Sequence, residues 1–332
     1  MFVGRGLLRE GAEDDLRALW PLELSSSRAF CVSDESVAAL HGSTLPFATA
    51  MITLAAGEAS KTLASAERIW RELLTLGATR ADHLVALGGG VVGDIAGFCA
   101  ATYQRGVPVV HVPTTLLAQV DSAYGGKTGV DLPEAKNYVG AYHQPAGVFV
   151  DPDVLATLPP AEHAAGWVEV LKTALIAGGV LWDRVARGEE VDEHAILDCA
   201  RTKIAVVGAD ERDAGVRRHL NLGHTVGHAI EAATGYARYR HGEAVGLGLL
   251  AALRLSGTNE LREQARQLLA DRGLPTTLEG VGAEPVLEAL ARDKKRVRAA
   301  IPFVLLREPG DVFVKEDVPL DDVRAAVTEL LA

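Results

Sequence analysis

The stretch "LVALGGGVVGDIAGFCAA", residues 84–101, decides the fold class. Its apolar start, 84–87, predicts a buried strand; Gly88, Gly89, Gly90 and Gly93 predict a tight turn, and the apolar run behind them a helix. Glycines at such a turn let backbone N–H groups approach a pyrophosphate, which a helix N-terminus then favours electrostatically. The spacing GGGxxGD departs from the usual GxGxxG fingerprint, and a turn that only packs a helix onto a strand shares its look. Two nearby segments favour dinucleotide binding: "PTTLLAQVDS" (113–122) brings the hydroxyls of Thr114 and Thr115, and "GEASK" (57–61) brings Glu58 and Lys61. Each is weak alone, since a Thr pair at a strand end is more often a cap.

Outward from this turn the chain has two grammars. Before it come "AFCVSD", a short helix near 35–41, "ATAMITLAAG" and the amphipathic "SKTLASAERIWRELLTLG"; after it come "VPVVHVPTT" and "GVFVDPD". Short apolar runs alternating with helical periods argue for parallel strands crossed by helices. Beyond "DPDVLATLPP" (151–160) strand signals thin out. Helices are expected at 161–177, 191–208, 223–234, 242–255, 259–271, 284–293 and in "LDDVRAAVTELLA", interrupted by the β-like "AIPFVLL" and "GDVFVKE". The expected architecture is an α/β N-terminal Rossmann-like nucleotide-binding domain, 1–155, and a mainly α-helical C-terminal metal- and substrate-binding domain, 156–332.

Composition limits the partners. The 332 residues are 48% hydrophobic and 23% charged, with net charge −11, so the surface as a whole repels nucleic acid and anionic membranes. The longest apolar stretch, "AVGLGLLAAL" (244–253), is short of the roughly 20 residues a membrane span needs, and the start "MFVGRGLLREGAEDD" lacks a signal peptide's apolar core. Cys31, Cys99 and Cys199 lie far apart in apolar or helical surroundings, as expected of buried thiols in a cytoplasmic protein.

"NLGHTVGHAIE" (221–231) sets His224 and His228 four apart on one helical face, and His241 follows in "HGEAV". Three histidines within 18 residues, among glycines, suggest a metal, with Glu231, His241 and Glu243 as the further ligands that pattern alone offers. Thr225 stands where an HExxH protein has its catalytic Glu. Three protein ligands and an open position would make zinc a Lewis acid. Cations are scattered as Lys127, Lys136, Lys172, Lys203, Arg217, Lys294 and Lys295, with Asn137 beside Lys136. Several lie among glycines or in apolar helices, where an ammonium needs an anionic partner, so the implied ligand carries carboxylate, phosphate or both.

Together "GGGVVGDIAGFCAATYQRG", "VPTTLLAQVDSAYGGKTGVD", "KNYVGAYHQP", "LPP…GWVEVLK", "LNLGHTVGHAIE" and "HGEAV" closely resemble the 3-dehydroquinate synthase family, in order and over nearly the whole chain. The resemblance implies metal ligands Glu169, His224 and His241, with His228 turned instead to the substrate phosphate and Glu231 an ordinary helix residue. It implies a carboxylate grip of Lys127 and Arg217 supported by Asn137, and a phosphate site of Asn221, His228 and Lys294 or Lys295. Arg105 would reach the phosphate of a neighbouring subunit, hence a homodimer. Asp121, Lys172 and Lys203 would line the substrate hydroxyls and the metal, with Lys136 nearby. Glu58, Lys61, Gly90, Asp94, Thr114 and Thr115 would contact NAD, with Gly89, Gly93, Asp121 and Ser122 in the same site.

The implied reaction takes 3-deoxy-D-arabino-heptulosonate 7-phosphate to 3-dehydroquinate and phosphate, with NAD, and Zn2+ or Co2+, as cofactors. It runs by transient oxidation, β-elimination of phosphate, re-reduction and an intramolecular aldol. Departures from the family are Asp213 where Glu is usual, Tyr138 where Leu or Met is usual, and a looser match in "VEVLKTALI". A sister cyclase of secondary metabolism, such as an aminodehydroquinate or 2-deoxy-scyllo-inosose synthase, is the alternative. A carboxylate-free substrate has no need of Lys127 with Arg217. A polyol or alcohol dehydrogenase would instead release NADH and lack the anion-binding cluster.

Overall fold

The computed structural model describes residues 1–294 and 302–331. By its internal contacts the chain divides into two units, Met1–Pro159 with Asp192–Ala200, and Pro160–Val191 with Arg201–Ala332. Strands of the first unit are β1 (Phe2–Val3), β2 (Ala29–Asp34), β3 (Ala48–Leu54), β4 (His83–Gly88), β5 (Val109–Pro113), β6 (Lys127–Leu132), β7 (Ala135–Tyr142) and β8 (Gly147–Val150). Among the described residues six of them form one parallel sheet in the order β1-β8-β5-β4-β2-β3. The order reverses between β2 and β4, and ligands of open α/β sheets bind outside the carboxyl ends of strands at such a reversal.

Local sequence explains these elements. Every residue of β4, β5 and β8 is buried, which is why they read as continuous apolar runs without alternation. The Glu35–His41 helix begins at Asp34, whose carboxylate accepts the N–H of Ser36 and Val37; Thr62 caps the Leu63–Thr75 helix through Ser65 N–H. That second helix buries Ala66, Ile69 and Leu73, one stripe facing the sheet. The glycine turn leads from β4 into the Gly90–Thr102 helix, apolar nearly all round because it packs on β4 on one side and on β6 on the other.

The hairpin β6–β7 is absent from the expected elements. Its second strand, "AKNYVGAY", has no fully buried residue, so it carries little of the apolar signal that marks a strand. β1 and the π-helical turn Ala118–Ser122 are likewise absent from the expected elements.

In the second unit the expected helices lie at Pro160–Ala177, His224–Ala233, His241–Ser256, Asn259–Ala270, Ala283–Lys294 and Leu320–Thr328, and the β pair is β9 (Phe303–Glu308) against β10 (Asp311–Lys315). The Glu193–Ala209 helix divides between the two units at Ala200, and the Gly179–Ala186 helix lies outside the expected elements. Residues 165–176 and 244–253 are buried on all sides, so two helices of this unit are central and the others cover them. Cys31, Cys99 and Cys199 are buried free thiols, and burial pushes Cys31 up to about 12. Among the described residues no helix is long and apolar enough to cross a membrane.

Candidate active site

Glu169 and Lys172 are the two ionisable residues in the buried run 165–176, each 1% exposed. Three residues apart on one helix, they pair at 2.5 Å between Lys172 Nζ and Glu169 Oε2. The other oxygen, Glu169 Oε1, is buried without a hydrogen-bond partner and faces His241 Nε2 at 3.5 Å and His224 Nε2 at 3.7 Å. Two donors bound to one tetrahedral zinc at about 2.0–2.2 Å stand roughly 3.4 Å apart, so this spacing fits joint ligation of a metal.

The far nitrogen of each ring faces an acceptor. His224 Nδ1 lies 3.2 Å from the Leu222 carbonyl and His241 Nδ1 3.4 Å from Glu231 Oε2. Both partners only accept, so both Nδ1 atoms carry the hydrogen and both Nε2 atoms turn toward Glu169. Burial, then the charge of Lys172, holds His224 well below its ordinary value. For His241 burial opposes the charge, but Glu169 and Glu231 outweigh it and push it up to about 9. Burial would raise Glu169 as well; Lys172 and the two histidines outweigh this and keep it ionised, well below the carboxylate range.

Glycines bring these three helices together. A Cβ on Gly242 would overlap the Ala165 carbonyl oxygen, one on Gly248 the Gly223 carbonyl oxygen, and one on Gly227 would sit 3.1 Å from Val245 Cα. Gly223 also enters the His224–Ala233 helix at φ +78, a left-handed conformation that other residues reach only with strain. Backbones this close carry Glu169, His224 and His241 to one point although they are 72 residues apart at the extremes.

The remaining pattern candidates lie around this cluster. The ring of His228 is 5.2 Å from that of His224, but His228 is exposed and its nitrogen falls outside the Glu169 cluster; it groups with Glu231 and His241 instead. Glu243 accepts from Arg240 N at 2.8 Å, caps the His241–Ser256 helix and belongs to neither histidine cluster. Glu231, set aside on resemblance, is 3% exposed and lies against His241.

Among the substrate candidates, Arg217 is buried in the Val216–Asn221 turn that Asn221 ends. Its guanidinium donates to the Glu211 carbonyl and its N–H to Asp210. Asp210 also accepts from Ala214 and Gly215 N–H, a loop clasp that pulls its own carboxyl below the ordinary value. Lys203 is half-buried on the Glu193–Ala209 helix. Lys294 closes its helix, and Lys295 lies outside the described residues.

In the first unit Lys127 is exposed at the start of β6, while Asn137 is held at φ +53 with its N–H donated to Asp131 at 2.7 Å. Arg105 is exposed at φ +72, directly after Gln104 at φ +48. Two consecutive non-glycine residues in this region are uncommon, and such strain clusters where a side chain must be aimed.

Around the glycine turn, Gly89 precedes the Gly90–Thr102 helix without any side-chain cap, leaving its first N–H groups for a ligand. Ser122 Oγ would stand 3.2 Å from a Cβ on Gly90, and His111 Nδ1 3.3 Å from one on Gly93; Asp121 is half-buried in the adjoining π-turn. The threonine pair divides its work. Thr115 Oγ1 accepts from Ala118 N–H as a cap, whereas Thr114 Oγ1 is buried without a partner at the carboxyl end of β5. Lys61 is 4% exposed and pairs with Glu58 at 3.0 Å and Asp94 at 3.2 Å, and Lys136 joins Glu58 at 3.5 Å. With Asp131 at 3.8 Å as well, Lys61 orders three carboxylates beside the turn. An uncapped helix start with an orphaned hydroxyl next to it fits a dinucleotide.

The comparisons with known proteins cover both units. The family model for the 3-dehydroquinate synthase N-terminal region matches residues 51–165 and that for its C-terminal region 166–296. The 3-dehydroquinate synthase of Symbiobacterium thermophilum is 43% identical, over 98% of this chain and 95% of its own. Among solved structures, 2-epi-5-epi-valiolone synthase from Streptomyces hygroscopicus subsp. jinggangensis 5008, with NAD+ and Zn2+ bound, superposes with a TM-score of 0.87 at 26% identity, covering 99% of this chain and 95% of that one. A 2-deoxy-scyllo-inosose synthase complexed with carbaglucose-6-phosphate, NAD+ and Co2+ gives 0.85 at 25%, covering 99% and 96%. Collinear motifs, fold and full-length similarity agree: the chain belongs to the 3-dehydroquinate synthase family.

Proposed function

We propose that this protein is a 3-dehydroquinate synthase that works with NAD and one divalent metal, zinc or cobalt, and eliminates phosphate as a carbon–oxygen lyase. The observation that carries the reading is the convergence of His224 Nε2 and His241 Nε2 on the buried, unpartnered Glu169 Oε1. Identity of 43% over nearly full length supports this activity over the sister cyclases, which are similar at 25–26%. Bound, the metal would supply Lewis acidity at the hydroxyl being oxidised, and NAD would accept a hydride and return it.

The chain's own residues supply the rest. Lys172 neutralises the metal-side carboxylate Glu169 and sets a fixed positive charge where alkoxide character develops. Lys203 and Asp121 address the substrate hydroxyls. Arg217, immobilised by the loop that Asp210 clasps, grips the substrate carboxylate with Lys127 and Asn137. His228, whose exposed imidazole stands outside the metal cluster, takes the phosphate with Asn221 and Lys294 or Lys295. The uncapped helix start at Gly89 and Gly90 and the hydroxyl of Thr114 receive NAD in the first unit, and Glu169, His224 and His241 hold the metal in the second. Arg105 serves the phosphate of a second copy, which makes the protein a homodimer. Three buried free thiols suit a reducing, cytoplasmic setting.

The test is phosphate release from 3-deoxy-D-arabino-heptulosonate 7-phosphate with NAD present, before and after chelation, while absorbance of NADH is followed. Phosphate released without net NADH, and lost on chelation, is the expected result. Absence of release from metallated protein would transfer the assignment to an amino or carboxylate-free sugar phosphate, and steady NADH accumulation to a dehydrogenase.

A further inference from the structure

His241 faces a carboxylate at each ring nitrogen: Glu169 Oε1 lies 3.5 Å from Nε2, and Glu231 Oε2 lies 3.4 Å from Nδ1. Glu231 stands seven residues after His224, two turns along the same helix, with Ile230 and Ala229 buried beside it. It is itself buried, at 3% exposure, among helices that the glycines have drawn into backbone contact. An ionised carboxyl in such a place is costly unless a fixed partner meets it.

We propose that Glu231 is the positioning residue for His241. By accepting the Nδ1 hydrogen it fixes the tautomer and rotation of the ring, so that the Nε2 lone pair stays on the Glu169 side, and its negative charge makes that nitrogen a stronger donor. The inference rests on the reading that Glu169, His224 and His241 hold a divalent metal. The two histidines are then supported unequally. His224 is oriented by a neutral carbonyl, Leu222, at 3.2 Å, whereas His241 is oriented by a full charge. His241 is also the residue that opens its helix, where its backbone has no preceding turn to brace it. Glu231 supplies from the facing helix the restraint that position lacks.

A competing role is direct ligation, because donor atoms of His228, Glu231 and His241 also lie within 4.8 Å of one another. A metal held that way would take Nδ1 of His241 and leave Glu169 out.

The experiment uses full-length apoprotein of the wild type, Glu231→Gln, Glu231→Ala and His224→Ala. Zinc affinity is read by competition with a chromophoric chelator, the visible spectrum of the Co2+ form is recorded, and the Tm of each apoprotein is measured. Glu231→Ala should keep one zinc per chain and bind it about 10–100-fold more weakly, as loss of an orienting partner does elsewhere. Glu231→Gln, which keeps an acceptor but not the charge, should fall between, and both Co2+ spectra should shift. Should the Ala variant fail to fold, the nearly isosteric Gln variant carries the test.

Zinc affinities within about twofold of wild type, with an unchanged Co2+ spectrum, would overturn the proposal and leave Glu231 a packing residue, even if the apoprotein Tm fell. Loss of zinc as complete as in His224→Ala would overturn it in favour of direct ligation. Failure of the wild-type apoprotein to take up zinc would sink the metal reading and this inference with it, a result distinct from tight binding that the variants leave untouched.

Discussion

Around residues 88–97 the atoms that crowd the glycines belong to side chains: Thr115 against Gly89, Ser122 against Gly90, His111 against Gly93 and Thr128 against Gly97. Around 223–248 they belong largely to backbone: the Gly223 carbonyl against Gly248, Ala165 against Gly242, Val245 against Gly227. In the first region the glycines admit polar side chains next to an uncapped helix start, and the cradle left there suits an extended anion. In the second they let helices meet with nothing between them, and the side chains projecting from that contact converge on a point. On the function proposed above, the same residue type thus serves a phosphate cradle in one unit and a metal site in the other, and the kind of atom it meets tells the two apart.

The largest effect should come from the point of convergence itself. His241→Ala is expected to abolish both metal retention and turnover, while His228→Ala, four residues from His224 but outside the cluster, should keep its metal and bind phosphate-bearing substrate more weakly. Elemental analysis of the two purified variants checks this. If His228→Ala lost zinc as completely as His224→Ala, the i,i+4 chelate of the bare sequence pattern would be restored and Glu169, His224 and His241 would not be the ligand set.

Next in size are the glycines. Gly242→Ala sets a methyl onto a backbone carbonyl that cannot rotate away, so it should cost about 3 kcal/mol and weaken zinc binding as the helices part. Gly97→Ala meets the methyl of Thr128, a side chain that can turn at the expense of its hydrogen bond to the Ala141 carbonyl, and should cost about 1–2 kcal/mol with zinc affinity untouched. Urea unfolding of both variants compares them directly. A larger loss for Gly97→Ala than for Gly242→Ala would break the distinction between side-chain and backbone contacts.

Much of this was legible in the chain, for reasons that differ by region. The strands of the parallel sheet announce themselves because burial on both faces demands unbroken apolar runs, as in β4 and β5. The hairpin β6–β7 does not, because its second strand is only partly covered and its pattern is spent on Lys136, Asn137 and Gly140. In the helical unit, His224 and His241 stand out by type, but Glu169 is one carboxylate in an apolar helix 55 residues before His224, and only tertiary contact or family resemblance selects it over Glu231 and Glu243. Glu243 and Glu231 show the limit of spacing as a guide. One is three residues into a helix and caps it; the other is two turns from a histidine and reaches a different histidine across the helix pair.

The smallest predicted effect tests the cradle. Thr114 Oγ1 is buried without a partner, so in the free protein it is a desolvated hydroxyl with nothing to offset its cost. Valine has nearly the same shape and no hydroxyl. Thr114→Val should therefore stabilise the protein by about 1 kcal/mol when no nucleotide is present, because an unsatisfied buried group is removed. If that hydroxyl is kept for NAD, the same change should weaken NAD binding by roughly fivefold, one hydrogen bond's worth. Thr115→Val is the control in the same turn. Its hydroxyl is already engaged as a cap on Ala118 N–H, so its loss should lower stability and leave NAD affinity nearly unchanged. Thermal melts with and without NAD read both quantities at once. Opposite signs for the two threonines would establish that neighbouring identical residues divide into one that holds the turn and one that waits on the ligand; equal signs would make both of them structural and move the NAD contact elsewhere in the turn.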